Sequence, residues 1–146
     1  MDNTIYIYTD GACRGNPGKG GWGTLLVYQK SKKELYGFSA ETTNNIMELT
    51  AVIESLKSIK RKYPLIITTD SSYVKDGITD WIQSWKKNNW KTTSKKPVKN
   101  KELWLKLDDL SSKHAIDWKW VKGHSGHPGN EKADSLANEG IEDLYR

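Results

Sequence analysis

Residues 4–10 alternate isoleucine and tyrosine (Ile5, Tyr6, Ile7, Tyr8), a pattern that predicts a strand ending at Asp10. Gly11 to Gly23 is rich in glycine and holds Pro17, so it predicts a turn or irregular loop. Residues 24–28 (Thr-Leu-Leu-Val-Tyr) predict a second strand and 34–39 a third, joined as a meander. Asn44 or Asn45 can cap a helix whose apolar positions are Leu49, Val52, Ile53 and Leu56. Pro64 closes that helical unit. The unbroken run at 65–69 then predicts a fourth strand at the centre of a sheet.

From Ser71 to about Asn88 the pattern predicts one or two helices, divided near Thr79 or Asp80. Lys91 to Asn100 is aperiodic and reads as a loop, Leu103, Leu107 and Leu110 mark another helix, and 116–121 a fifth strand. Gly123 to Gly129 predicts a flexible loop before a last helix at about 130–140. Three strands followed by alternating helices and strands indicate the α/β class, a five-stranded mixed sheet flanked by helices. The 146 residues fit one domain, with no internal repeat and no dividing linker.

Composition narrows the partners. A net charge of +5 and a pI near 9.2 favour a polyanion. From Trp81 to Lys101 there are seven lysines and no acidic residue, with Trp81, Trp85 and Trp90 interleaved. Such a stretch is ordinarily a solvated lysine face over half-buried indoles, but it also suits phosphates and sugar or base faces. One cysteine excludes an internal disulfide, and three histidines make a structural zinc site a poor expectation. No apolar run reaches the roughly 20 residues needed to cross a bilayer, and Met1-Asp2-Asn3-Thr4 is unlike a secretory signal. A cytoplasmic protein with no membrane partner is expected.

The chemistry lies in four carboxylates. Asp10 and Asp70 each end an apolar strand-like run, while Glu48 and Asp134 sit near the start of predicted helices. Neighbouring strand ends bring Asp10 and Asp70 together, and Glu48 shares a helical row with Val52 and Leu56, so it faces the sheet. Taken singly, each has an ordinary explanation as a turn acceptor or helix-start acid. Converging acids repel, and divalent cations with oxygen ligands relieve that repulsion. Two cations roughly 3.5–4 Å apart can orient a water and stabilise a leaving 3′ oxygen in phosphodiester hydrolysis. Asp10 is then the natural bridging ligand. Magnesium suits an all-carboxylate site, and manganese is expected to substitute. Gly18, Gly20 and Gly23 match G-x-G-x-x-G, but a strand rather than a helix follows, so a dinucleotide site is rejected. A Walker loop is rejected too, because Gly20 follows Lys19.

Thr9-Asp10-Gly11-Ala12-Cys13, Asn16-Pro17-Gly18, Thr42-Thr43-Asn44-Asn45 with Met47-Glu48-Leu49, Thr69-Asp70-Ser71, and Val121-Lys122-Gly123-His124 with Asn130 and Ala133-Asp134 closely resemble bacterial type 1 ribonuclease H. The resemblance spans essentially the whole chain, in the same order. It implies a ribonuclease H-like fold and a monomeric endonuclease. Such an enzyme cuts the RNA strand of RNA–DNA hybrids with divalent metal, leaving 5′-phosphate and 3′-hydroxyl ends. By resemblance, Asp10, Glu48, Asp70 and Asp134 match the metal ligands and His124 a loop histidine tied to proton transfer or product release. Cys13, Asn16, Asn44 and Asn45 fall at the minor groove, where a 2′-hydroxyl marks the RNA strand. Ser72 stands where relatives often carry glutamine. Thr43 and Asn100 resemble members of a DNA-phosphate pocket. The segment 81–101 resembles a basic protrusion that grips the hybrid, with Trp81, Trp85, Lys86, Lys87 and Trp104 as contacts; Trp104, next to Leu103, can equally pack inside. Glu41 and Ile46 replace arginines common in relatives, which predicts weaker or more salt-sensitive hybrid binding.

Three other functions compete. A non-catalytic hybrid binder has no reason to keep four mutually repelling acids facing phosphates. A DNA-directed nuclease of the same fold would not need the Asn and Thr groups around Glu48. A ribonuclease domain detached from a reverse transcriptase is less expected, since the chain begins at Met1 without a linker tail.

Overall fold

The computed structural model describes residues 2–123 and 126–146. Five strands form one sheet: β1 (Ile5–Arg14), β2 (Gly18–Tyr28), β3 (Ser31–Thr42), β4 (Leu65–Thr69) and β5 (Ile116–Trp120), in the order β3-β2-β1-β4-β5. The first three form an antiparallel meander, and β4 and β5 join in parallel. Strand β4 lies between two neighbours, which explains its unbroken apolar run.

Helix α1 (Asn44–Lys57) covers one face of the sheet, where Ser55 Oγ donates to Thr24 Oγ1 at 2.7 Å inside the core. Helix α5 (Pro128–Leu144) covers the other face, because Gly23, one residue away and pointing oppositely, abuts its Ala133, Leu136 and Ala137. The main core fills the α1 side with Ile7, Ile67, Leu49, Val52, Leu56 and Leu107. Helix α4 (Lys101–Ser111) closes it from outside with Trp104 and Leu107. Helices α2 (Ser72–Asp76) and α3 (Ile82–Lys87) are joined by a single wide turn of π-helix over Gly77–Trp81.

Several expectations need correction. The glycine-rich stretch from Gly11 to Gly23 is not an irregular loop but the end of β1 and the start of β2, paired from Gly11↔Trp22 to Arg14↔Lys19. Its glycines mark close approach rather than a break: a Cβ on Gly23 would lie 2.5 Å from the Ala133 carbonyl oxygen. Asp10 therefore sits inside β1 rather than at its end. The cap of α1 is Thr43, whose hydroxyl accepts from the Ile46 N–H at 3.2 Å, and not Asn44 or Asn45. The last helix begins and ends beyond the expected 130–140. Among the described residues, no helix is long and apolar enough to cross a membrane.

Candidate active site

The parallel register of β1 and β4 ends at Thr9↔Thr69. Beyond it β1 continues with β2 alone, while β4 turns into α2 at Ser71, whose hydroxyl accepts from the Val74 N–H. Asp10 and Asp70 occupy the next level, where the two strands part. The fork is the cleft.

Helix α1 comes onto β1 at Gly11, where a Cβ would stand 2.5 Å from the Glu48 nitrogen. That approach sets Glu48 directly behind Asp10. One oxygen each from Asp10, Glu48 and Asp70 lies within 4.8 Å of the others. Asp134, early in α5, lines the same open cleft of about 370 Å³ together with Gly11, Ala12, Cys13 and Asn44. Asn138 steadies Asp134 by donating to its main-chain oxygen at 2.9 Å.

Crowding shows in the acidities. Burial, then the Asp70 charge, then the neighbouring Asp134, push the Asp10 carboxyl up to about 8. Burial first, and the charges of Asp10 and Asp70 next, hold Glu48 well above the usual carboxylate range. Asp10 Oδ1 accepts from the Gly11 N–H at 2.9 Å, yet Glu48 Oε1 is buried with no hydrogen-bond partner. An orphaned buried oxygen beside two more carboxylates fits a hard divalent cation, which takes oxygen ligands and removes the repulsion.

Around this centre the other expected residues fall into two groups. Asn16 Oδ1 accepts from the Asn44 N–H at 3.2 Å, joining the β1–β2 hairpin to the start of α1. Cys13 Sγ donates to the carbonyls of Gly15 and Thr42. Asn45 is exposed on α1, and Ser72 is exposed at the start of α2. Farther out, Asn100 donates from Nδ2 to the Tyr73 hydroxyl at 3.2 Å, from a left-handed backbone with φ of 59°. Trp81 is exposed and leans on Tyr73 and on Trp85, which is half-buried. Lys87 is exposed, and Lys86 pairs with Asp108 at 2.9 Å. Of the two alternatives for Trp104 the structure shows the inside packing: it is fully buried, against Tyr73 and Trp85. His124 lies outside the described residues.

The ribonuclease H family profile matches residues 2–142. The chain belongs to the ribonuclease H family. It is 61% identical over 140 residues to the ribonuclease HI of Neisseria meningitidis serogroup B, covering 96% of this chain and 97% of that protein. Among solved structures it resembles LC9-RNase H1, described as a type 1 RNase H with the type 2 active-site motif. The TM-score there is 0.88 at 32% identity, over 98% of this chain and 74% of that one. LC11-RNase H1, solved in complex with an RNA/DNA hybrid, shares the fold at a TM-score of 0.72 and 23% identity, over 97% of this chain and 99% of that one.

Within this ribonuclease H fold, two contributors escape a reading of the sequence. Gly11 admits α1 to the cleft, and its only signal is a glycine directly after a strand aspartate. Tyr73 is a hub, its hydroxyl accepting from Trp104 Nε1 at 2.9 Å as well as from Asn100. Nothing in its spacing marks it.

Proposed function

We propose that this chain is an endonuclease that hydrolyses the RNA strand of RNA–DNA hybrids, with divalent cations held by Asp10, Glu48, Asp70 and Asp134. The observation that carries this reading is the convergence of three carboxylates within 4.8 Å, one of them with an unpartnered buried oxygen. Family membership supports the reaction class, and the hybrid held by LC11-RNase H1 supports the substrate.

When bound, the cations supply charge neutralisation at the phosphate and a water made acidic enough to attack near neutral pH. The protein's part is placement. Asp10, Glu48 and Asp70 would hold a cation together, and Glu48 offers an oxygen that has no hydrogen-bond partner. The attacking water oxygen bonds to phosphorus as the bond to the 3′ oxygen breaks, which leaves 5′-phosphate and 3′-hydroxyl ends. Magnesium is the cation of this proposal and manganese its substitute, since both take carboxylate ligands and keep bound waters.

Cys13 and Asn44 line the cleft, and together with Asn16, Asn45 and Ser72 they are proposed to meet the minor groove. Thr43 and Asn100 are proposed to meet the DNA phosphates, and Trp81, Trp85, Lys86 and Lys87 to hold the duplex farther away. The whole of 1–146 is read as a single monomeric, cytoplasmic domain with a basic protrusion at about 81–101.

The test is cleavage of a labelled RNA–DNA hybrid beside RNA–RNA and DNA–DNA duplexes, with magnesium, with chelator, and with Asp10→Asn. Hybrid-only cutting, lost with chelator and in the variant, is expected. Tight hybrid binding without cutting would make the protein a recognition module and remove the metal reading.

A further inference from the structure

One hydrogen bond from a half-exposed indole lands directly on the metal-site corner. The last main-chain bond between β4 and β5 runs from the Val121 N–H to the Thr69 carbonyl at 3.0 Å. The next carbonyl, that of Asp70, lies past the end of the ladder and has no strand donor. Trp120 supplies one from its side chain: Nε1–H donates to the Asp70 carbonyl oxygen at 3.1 Å. Ser71 N–H, in the same peptide unit as that carbonyl, donates to Thr69 Oγ1 at 3.0 Å; with the Thr69 carbonyl held by Val121, the peptide groups on both sides of the Asp70 Cα are tied down.

The indole is held in turn. Trp120 is 44% exposed, so it is not fixed by burial, but the Lys75 ammonium of α2 lies 5.8 Å from its ring centroid. Trp120 thus spans from β5 to both the Asp70 corner and the helix that follows it. From the same segment, Gly123 faces the Asp70 carboxylate, and a Cβ there would stand 2.9 Å from Oδ2. One residue anchors the Asp70 main chain, and another, by having no side chain, leaves its carboxylate room.

We infer that Trp120 and Gly123 are positioning residues for Asp70, fixing where its carboxylate stands for a divalent cation. The inference rests on Asp70 being a cation ligand. Partners that orient metal ligands through hydrogen bonds commonly change metal affinity when removed, by about 10- to 100-fold. Trp120→Phe keeps an aromatic ring near Lys75 but removes the N–H together with the second ring, which is why stability is measured alongside. Gly123→Ala leaves that bond intact and crowds Oδ2.

The experiment is calorimetric titration of the metal-free, substrate-free protein with Mn²⁺, for wild type, Trp120→Phe, Gly123→Ala and Asp70→Asn. Melting temperatures of the metal-free proteins are measured alongside. The expected result is a dissociation constant raised about tenfold in both Trp120→Phe and Gly123→Ala, with the melting temperature of metal-free Trp120→Phe at the wild-type value. In cleavage, the half-saturating cation concentration should rise in step, while hybrid affinity measured without metal stays unchanged. Wild-type Mn²⁺ affinity in Trp120→Phe overturns the inference, as does weakened affinity accompanied by a general loss of stability. Should Asp70→Asn itself bind Mn²⁺ as wild type does, the metal-site reading fails instead, and the two failures are told apart.

Discussion

At the scale of single residues, Asp10 is held in a state the unfolded chain does not share. Its carboxyl titrates near 8 in the fold against an ordinary value of 3.8. Between those values the folded protein keeps a proton that the unfolded protein releases, so stability falls as pH rises through that window. The contribution is fully present below about pH 4 and gone above about pH 8. Asp10→Asn removes the dependence. In metal-free protein we expect Asp10→Asn to melt above wild type, with a gap that is wider at about pH 8 than at about pH 5. Magnesium should narrow the gap at the higher pH by stabilising wild type alone. Thermal unfolding with chelator and with magnesium at both pH values checks this, and a gap independent of pH would count against the buried-acid account.

At the scale of elements, the α2–α3 run owes its shape to an indole from another helix. Gly77 opens the π-helical turn, and any side chain there would run into the Trp104 ring, which fills the space beneath. Trp104 is completely buried, and its N–H donates to the Tyr73 hydroxyl. Trp81, four residues along from Gly77, lies on the outside of the same turn and is exposed. The two tryptophans should therefore separate cleanly. Trp104→Ala should cost about 3–5 kcal/mol of stability in denaturant unfolding. Trp81→Ala should cost little stability but weaken hybrid binding, as expected for an aromatic surface lost from a nucleic-acid contact. Comparable loss of stability in both would return Trp81 to the core.

At the scale of the molecule, a net charge of +5 coexists with an acidic cleft, so hybrid binding depends on how the cations are distributed. Glu41 lies exposed at the end of β3, just before α1, and Ile46 is half-buried in the first turn of that helix. Neither offers a phosphate a cation. Glu41→Arg should tighten hybrid binding and steepen the dependence of log affinity on log salt by about one charge's worth. Catalysis at saturating hybrid should stay at the wild-type rate. An unchanged salt slope would mean that the DNA strand does not pass that edge.

How much of this could be read from sequence follows the range of each interaction. The central strands, α1 and its sheet-facing row through Glu48, Val52 and Leu56 were legible because periodicity is local and the core enforces it. Asp10 and Asp70 were legible as a pair because adjacent parallel strands place corresponding residues side by side. The hairpin from Gly11 to Gly23 was not, since its glycines read as breaks when taken alone. Their role becomes visible only once α5 lies against Gly21 and Gly23, and α1 against Gly11. Nor could spacing say which tryptophan is buried, because Trp104 and Trp81 differ only in what packs over them. Thus the amino-acid sequence by itself determined most of the elements, the family and the convergence of Asp10, Glu48 and Asp70. The tertiary structure decided which side chains the close packing of distant elements hides, how far burial lifts the Asp10 proton affinity, and which indole donates to the Asp70 carbonyl. Those outcomes depend on contacts between segments far apart in the chain, which local pattern does not encode.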